Sequence, residues 1–250
     1  MASINESIKN LLTRESIYQA YLDVEVALAK AQAKQEIIPL WAATKIQEKG
    51  KLELLDIENV DAGLEKTGHP LVPLIWELDR VCGDDAGGYI HWGATTQNIT
   101  QTGKLLVVKK CHDFYLKGLG ELLFTLSDLA EKSKSYPMPG RTHGQHAVPA
   151  TFGYKVAVWI DELIRHVSRL KECEGRVFVA MLGGGAGTMA SVGLEGIETQ
   201  NLMAKELGLA SMSMPSRTIG DHLTEYITLL AMLAATSSKM AREVYTMMKQ

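Results

Sequence analysis

The spacing of apolar residues constrains this chain more than any other feature. Between Arg14 and Glu36 they fall at Ile17, Tyr21, Val24, Leu28 and Ala31, in steps of 4, 3, 4 and 3. That is the repeat of one face of an α-helix. The same reading predicts helices over about 57–66, 70–83, 98–132, 149–170, 196–207 and 218–249. In the 149–170 segment Val156, Trp159, Ile160, Leu163, Val167 and Leu170 share a face, with Asp161, Glu162, Arg165 and Arg169 away from it. No segment shows period-two alternation bounded by turns, so the expected fold is all-α. End signals agree. Ser3 with Glu6 reads as a capping box ahead of the first helix, and Pro39 stops it. Pro70 suits a first helical position. Gly68, Gly83 and Gly208 suit C-terminal stops. Thr95 or Thr96 is placed to cap the 98–132 helix.

Three segments between the helices are of another kind. Asp84-Asp85-Ala86-Gly87-Gly88 is a cluster of turn formers, followed by the polar and aromatic run Tyr89-Ile90-His91-Trp92-Gly93-Ala94-Thr95-Thr96-Gln97-Asn98. A second polar loop, Arg141-Thr142-His143-Gly144-Gln145-His146-Ala147, follows Tyr136-Pro137-Met138-Pro139-Gly140. The third, residues 181–193, is small and glycine-rich.

Composition excludes several classes. With 46% hydrophobic and 22% charged residues over 250 positions, disorder is not expected. A net charge of −3 argues against a nucleic-acid footprint, which needs a basic excess, and leaves room for a local pocket for a small anion. Cys82, Cys111 and Cys173 form neither a CxxC nor an even framework, which fits a reducing compartment. No run approaches the ~18 apolar residues of a membrane span, and the N-terminus has no signal-peptide pattern. A soluble cytoplasmic protein is expected, with no nucleic-acid or membrane partner.

The candidate chemistry lies in the polar loops. His69, His91, His143 and His146 each read alone as surface or capping residues. Two loops that combine histidine with hydroxyl and amide donors suggest more. Histidine moves protons near neutral pH, and Thr95, Thr96, Gln97, Thr142 and Gln145 suit carboxylate binding by several hydrogen bonds. A zinc site at His143-x-x-His146 lacks the HExxH pattern and thiolate partners. A serine hydrolase lacks its G-x-S-x-G elbow. Gly183-Gly184-Gly185-Ala186-Gly187-Thr188 lacks the Gly-Lys-Ser/Thr of a phosphate loop. Gly185-x-Gly187-x-x-Ala190 matches the relaxed dinucleotide fingerprint, but a long helix precedes it. This leaves it as a tight packing turn or a loop that offers N–H groups to a substrate anion.

The 88–102 segment resembles the first signature region of the fumarase/aspartase superfamily, and Gly140-Arg141-Thr142-His143-Gly144-Gln145-His146 with the following residues to Gly153 resembles the second. Within the superfamily they are most similar to the branch of adenylosuccinate lyase and 3-carboxy-cis,cis-muconate cycloisomerase. The Leu182 to Thr188 stretch and the helix through Asp221, Glu225 and Tyr226 also fit. The resemblance implies an N-terminal helical domain (1–96) and part of a central long-helix bundle (97–250). It also implies a homotetramer with active sites shared between subunits, and β-elimination from a succinyl-type substrate with fumarate release. By resemblance His143 is the general acid and His69 a second catalytic histidine. His91, Thr95, Thr96, Gln97, Thr142 and Gln145 are substrate binders. No cofactor and no metal are implied.

Departures from the family pattern are specific. Asn98 and Gln101 stand where aspartates are usual, Gly220 and His222 where arginines flank the aspartate matching Asp221, and the Arg-Tyr pair of adenylosuccinate lyases is not found near the N-terminus. Tyr21 to Gln32 and Pro70-Leu71-Val72-Pro73-Leu74 look more like the cycloisomerases. Thr142-His143-Gly144-Gln145 looks like the lyase. The family's Gly-Ser-Ser-x-Met-Pro-x-Lys-x-Asn-Pro loop, which carries the serine base, is not among these residues. The chain therefore resembles the first half of such an enzyme and is expected to be inactive alone. Alternatives are a cycloisomerase-like enzyme and a non-catalytic oligomeric binding module derived from the fold.

Overall fold

The computed structural model describes residues 2–83 and 85–248. Asp84 of the predicted turn cluster and the last two residues lie outside the described residues. In chain order the elements are α1 (Ala2–Leu11), α2 (Arg14–Lys34), α3 (Leu40–Lys49), α4 (Ile57–Thr67), α5 (Val72–Cys82) and α6 (Thr96–Lys132). There follow β1 (Pro137–Thr142), β2 (Gln145–Thr151), α7 (Phe152–Glu172), α8 (Glu174–Val177), β3 (Val179–Ala180), α9 (Gly196–Glu206), β4 (Ala210–Ser211) and α10 (Asp221–Met247). The fold is all-α with two small strand pairs. Among the described residues no helix is long and apolar enough to cross a membrane.

The described chain falls into two compact units. The first joins Ala2–Cys111 with Phe178–Gly220, and the second joins His112–Val177 with the last helix. α6 contributes its N-terminal part to the first and its C-terminal part to the second.

In the first unit α2 is the central element. Leu22, Val24, Ala27 and Leu28 are almost wholly buried, and the helix packs on α3 and α9. Thr13 caps it, its Oγ1 accepting from Ser16 N at 3.2 Å. Ser3 instead lies inside the separate helix α1. α3 was not foreseen. Only Ala42, Ala43 and Ile46 are buried on it, too narrow a stripe to stand out beside exposed Leu40 and Trp41. α4 starts at an Asp56 cap and ends at left-handed Gly68. α5 starts at Val72 with Pro73 in its first turn, not at Pro70. The two-residue strands β3 and β4 pair in parallel.

In the second unit α7 packs on α10 and α8. Val156, Leu163 and Leu170 form its buried stripe. His166 Nε2 lies 2.8 Å from Thr236 Oγ1, whose hydroxyl donates to Glu162, and Lys239 pairs with the same carboxylate. A lysine's charge and the threonine bond hold the Glu162 carboxyl below its usual range, Lys239 being the larger influence. His112 sits between Tyr226 and Glu174.

Residues 137–151 correct the sequence reading. They form an antiparallel hairpin with Thr142 opposite Gln145 and an irregularity after Gly140. α7 begins only at Phe152, capped by Thr151, and not at Pro149. Most of the hairpin is exposed on both faces, so it carries no apolar alternation to read. Its prolines mislead for a related reason. In a two-stranded ribbon each residue has a free edge, and a proline whose nitrogen faces outward breaks no ladder bond.

Candidate functional site

The 86–98 segment is held from below by α2. Glu25, 2% exposed, points its carboxylate at His91. Oε2 accepts the His91 backbone N–H at 3.1 Å, and Oε1 lies 2.6 Å from His91 Nδ1. One helical heptad later Gln32, wholly buried, donates to the Trp92 carbonyl at 2.7 Å. His91 is held at φ +61°, a backbone conformation that non-glycine residues seldom adopt. Burial depresses the His91 ring, but the hydrogen bond and charge of Glu25 together outweigh it, and its pKa stands above the ordinary value.

His69 is fixed differently. Its Nδ1 accepts the backbone N–H groups of Leu71 at 3.3 Å and Val72 at 3.1 Å. The ring thus caps the free N–H groups at the start of α5, as the plain sequence reading allowed. Because a backbone N–H can only donate, Nδ1 acts as an acceptor and the ring hydrogen sits on Nε2. That Nε2 lies 3.3 Å from Thr96 Oγ1. His69 is therefore both a cap and a donor aimed at the head of α6.

Asn98 closes the cluster. Its Oδ1 accepts from Thr95 N and Gly184 N, both at 3.0 Å. The first bond is half of a capping box, the third helical residue reaching back to the cap. Thr95 thus takes part through its backbone. The second bond ties the glycine-rich loop to the head of α6. A Cβ on Gly93 would fall 2.5 Å from Val192 Cγ2, and one on Gly183 would fall 2.7 Å from the Pro215 carbonyl. Such close approaches explain the glycines as packing residues. Gln97 donates to Gln101 Oε1 at 2.9 Å and to the Arg217 carbonyl at 3.0 Å. Arg217, not singled out in the sequence, is thereby anchored by its backbone at the same cluster.

The first unit therefore brings together His69, His91, Thr95, Thr96 and Gln97. Thr142, His143 and Gln145 belong to the second unit, on the hairpin, and are exposed. His143 and Gly144 are the two loop residues, at φ +51° and +75°, the pattern of a type I′ turn. His146 Nε2 lies 3.3 Å from Arg141 Nη2, so this imidazole accepts from a cation.

Sequence reasoning missed Glu25 and Gln32. Their signal was present: two polar residues seven apart, beside the apolar stripe of α2. It also passed over His112, His166 and His222, which are buried in the second unit.

These features define an all-helical protein with a histidine-bearing, donor-rich cluster at the head of a long helix. Residues 5–250 match the family described as lyase. The chain belongs to that family, within the fumarase/aspartase superfamily. It is 37% identical over 243 residues to an adenylosuccinate lyase of Methanocaldococcus jannaschii, covering 97% of this chain and 53% of that protein. It is 36% identical over 243 residues to an N-acetyl-S-(2-succino)cysteine lyase of Dickeya dadantii, covering 97% and 52%. Among solved structures a fumarate lyase from a Mesorhizobium species superposes with a TM-score of 0.93 at 36% identity, covering 98% of this chain and 58% of that one. A β-carboxy-cis,cis-muconate cycloisomerase from Acinetobacter calcoaceticus gives 0.92 at 29% identity, with 98% and 58% coverage. The chain spans about half the length of these curated relatives.

Proposed function

We propose that this chain carries the carboxylate-binding cluster and the acid of an adenylosuccinate lyase-like enzyme, which eliminates fumarate from a succinyl-type substrate. The observation that carries the reading is the head of α6. His69 with its hydrogen on Nε2, the Thr96 hydroxyl and the first N–H groups of a long helix converge there. Helix starts favour anions. Loss of a Cβ proton leaves a carbanion whose charge spreads onto a carboxylate, and donors placed beforehand stabilise that state more than the ground state. His91 adds a further donor. Two relatives bear names that contain a succinyl group, which supports the substrate class.

His143, with Thr142 and Gln145 beside it, supplies the proton to the leaving group. Its exposure on a hairpin suits an acid that completes a site in another copy of a homotetramer. No residue carried over from the family is its base, so in this reading the 250 residues bind fumarate and release none. The test is thermal unfolding with added fumarate, since a ligand bound only by the folded state raises the midpoint. A rise that Thr96→Val abolishes supports the reading. Absence of any rise for fumarate or succinate refutes it. The cycloisomerase reading is favoured by one observation, the 0.92 superposition on that enzyme. Preference for a muconate over fumarate in the same assay would select it.

A further inference from the structure

Glu25 has no role in the reaction as read so far, yet it is the most buried acidic side chain at the site, 2% exposed. It touches His91 twice, at the backbone N–H and at Nδ1. Gln32, on the same side of α2, spends its amide on the next residue's carbonyl. The two polar residues that α2 buries are thus both committed to the His91–Trp92 turn. A hydrophobic helix face has no packing reason to bury a carboxylate, which is expensive to desolvate unless it is paired.

We propose that Glu25 is a positioning residue. Its carboxylate holds His91 in left-handed backbone and one ring orientation, Nδ1–H toward Glu25, so that Nε2–H is presented as a cationic donor to a dicarboxylate ligand. The identity of the ligand rests on the elimination reading; the positioning does not. A carboxylate only accepts, so Nδ1 must donate. The ring is 24% exposed, which leaves Nε2 as the nitrogen for a ligand. The division of labour between the two histidines follows. Backbone donors occupy Nδ1 of His69, whereas the Glu25 carboxylate accepts from Nδ1 of His91.

Other charges near this turn do not substitute for Glu25. Of the helices packed against residues 86–89, α3 carries Lys45, Glu48 and Lys49 and α5 carries Glu77, Asp79 and Arg80. Arg80 is held by Glu77. Asp85 lies in the turn itself and is exposed. Among the described residues, Glu25 is the one within hydrogen-bonding distance of the ring. The raised pKa of His91 agrees with that geometry.

The experiment is NMR titration of ¹⁵N-histidine in the 250-residue chain, the His91 signal being assigned by its loss in His91→Asn. In the wild type His91 is expected to hold both ring protons to a midpoint above 6.5. Glu25→Gln keeps the size, retains an acceptor for the backbone N–H, and is expected to lower the midpoint. Glu25→Asp should restore part of the shift. Calorimetry with fumarate is the second readout. Glu25→Gln should weaken binding about fivefold at pH 6, from the difference in free energy between a charge-assisted and a neutral hydrogen bond, and should flatten its pH dependence. A Glu25→Gln that lowers the melting point but leaves the His91 midpoint unmoved would reduce Glu25 to a structural residue and overturn the proposal. Should that variant not fold, the wild type decides: a His91 midpoint at or below 6.5 overturns it. If the wild type binds no fumarate while the His91 midpoint follows Glu25, positioning stands and the elimination reading fails.

Discussion

Asn98 allows a quantitative test of how the site is held together. Its side chain is 1% exposed, its Oδ1 serves two backbone donors, and its Nδ2 has no partner. Asn98→Ala removes both bonds, and the two donors fare differently. Thr95 is half-buried and its N–H rehydrates, so that loss costs about 1 kcal/mol. Gly184 is buried, and its stranded N–H costs about 2 kcal/mol. Deleting the unpartnered Nδ2 offsets about 1 kcal/mol of this by the same logic. The balance is a destabilisation of about 2 kcal/mol, which at this chain length lowers Tm by about 4–8 °C. Asn98→Asp, the residue usual in the family, keeps both acceptors beside a helix N-terminus and should stay within about 1 kcal/mol of the wild type. Thermal and urea unfolding at pH 7 measure both. An Asn98→Ala midpoint indistinguishable from the wild type, or an Asp variant as damaged as the Ala variant, would refute the reasoning.

Two further outcomes follow from the same kind of argument. His143 occupies the first position of a type I′ turn, where asparagine is preferred, so His143→Asn should leave Tm unchanged or raise it by up to about 3 °C. His143→Val should increase amide exchange over residues 141–145, because a β-branched residue resists positive φ. Glu77, 6% exposed, accepts from Arg80 and from Asp56 N and Asn59 Nδ2. The Arg80 bonds chiefly hold its carboxyl below the ordinary value of 4.5. A depressed pKa contributes stability above the unfolded value and loses it as pH falls through the folded one. Glu77→Gln removes the carboxylate acceptor of three Arg80 bonds, Nε to both oxygens and Nη2 to Oε2, and should therefore be less stable than the wild type at pH 7, with the gap narrowing below about pH 4.5. An equal gap at pH 7 and pH 3 in urea melts would contradict this.

How much was legible differs between the two loops. Helices α2, α4, α5, α6, α7, α9 and α10 were readable because each carries an apolar stripe at helical spacing or a recognisable stop. The histidines and hydroxyls of the site were readable because polar residues between long helices are conspicuous. The hairpin was not. Its exposed faces carry no periodicity, and its prolines argue against a strand unless the edge they occupy is known.

By itself the sequence determined the helical class and the helix stops at Gly68, Gly83 and Gly208, and it marked out the polar residues that lie between the helices. These depend on local backbone chemistry and on repeats a few residues long. Only the tertiary structure decided what those residues do. Glu25 and Gln32 looked like polar positions on a helix until the fold brought the 91–92 turn against them. His69 became an Nε2 donor because the backbone of α5 begins under its Nδ1. Asn98 became the link between a helix head and a glycine loop 86 residues away in sequence. Protonation and orientation are set by neighbours in space, and a contact between distant segments leaves no local pattern to read.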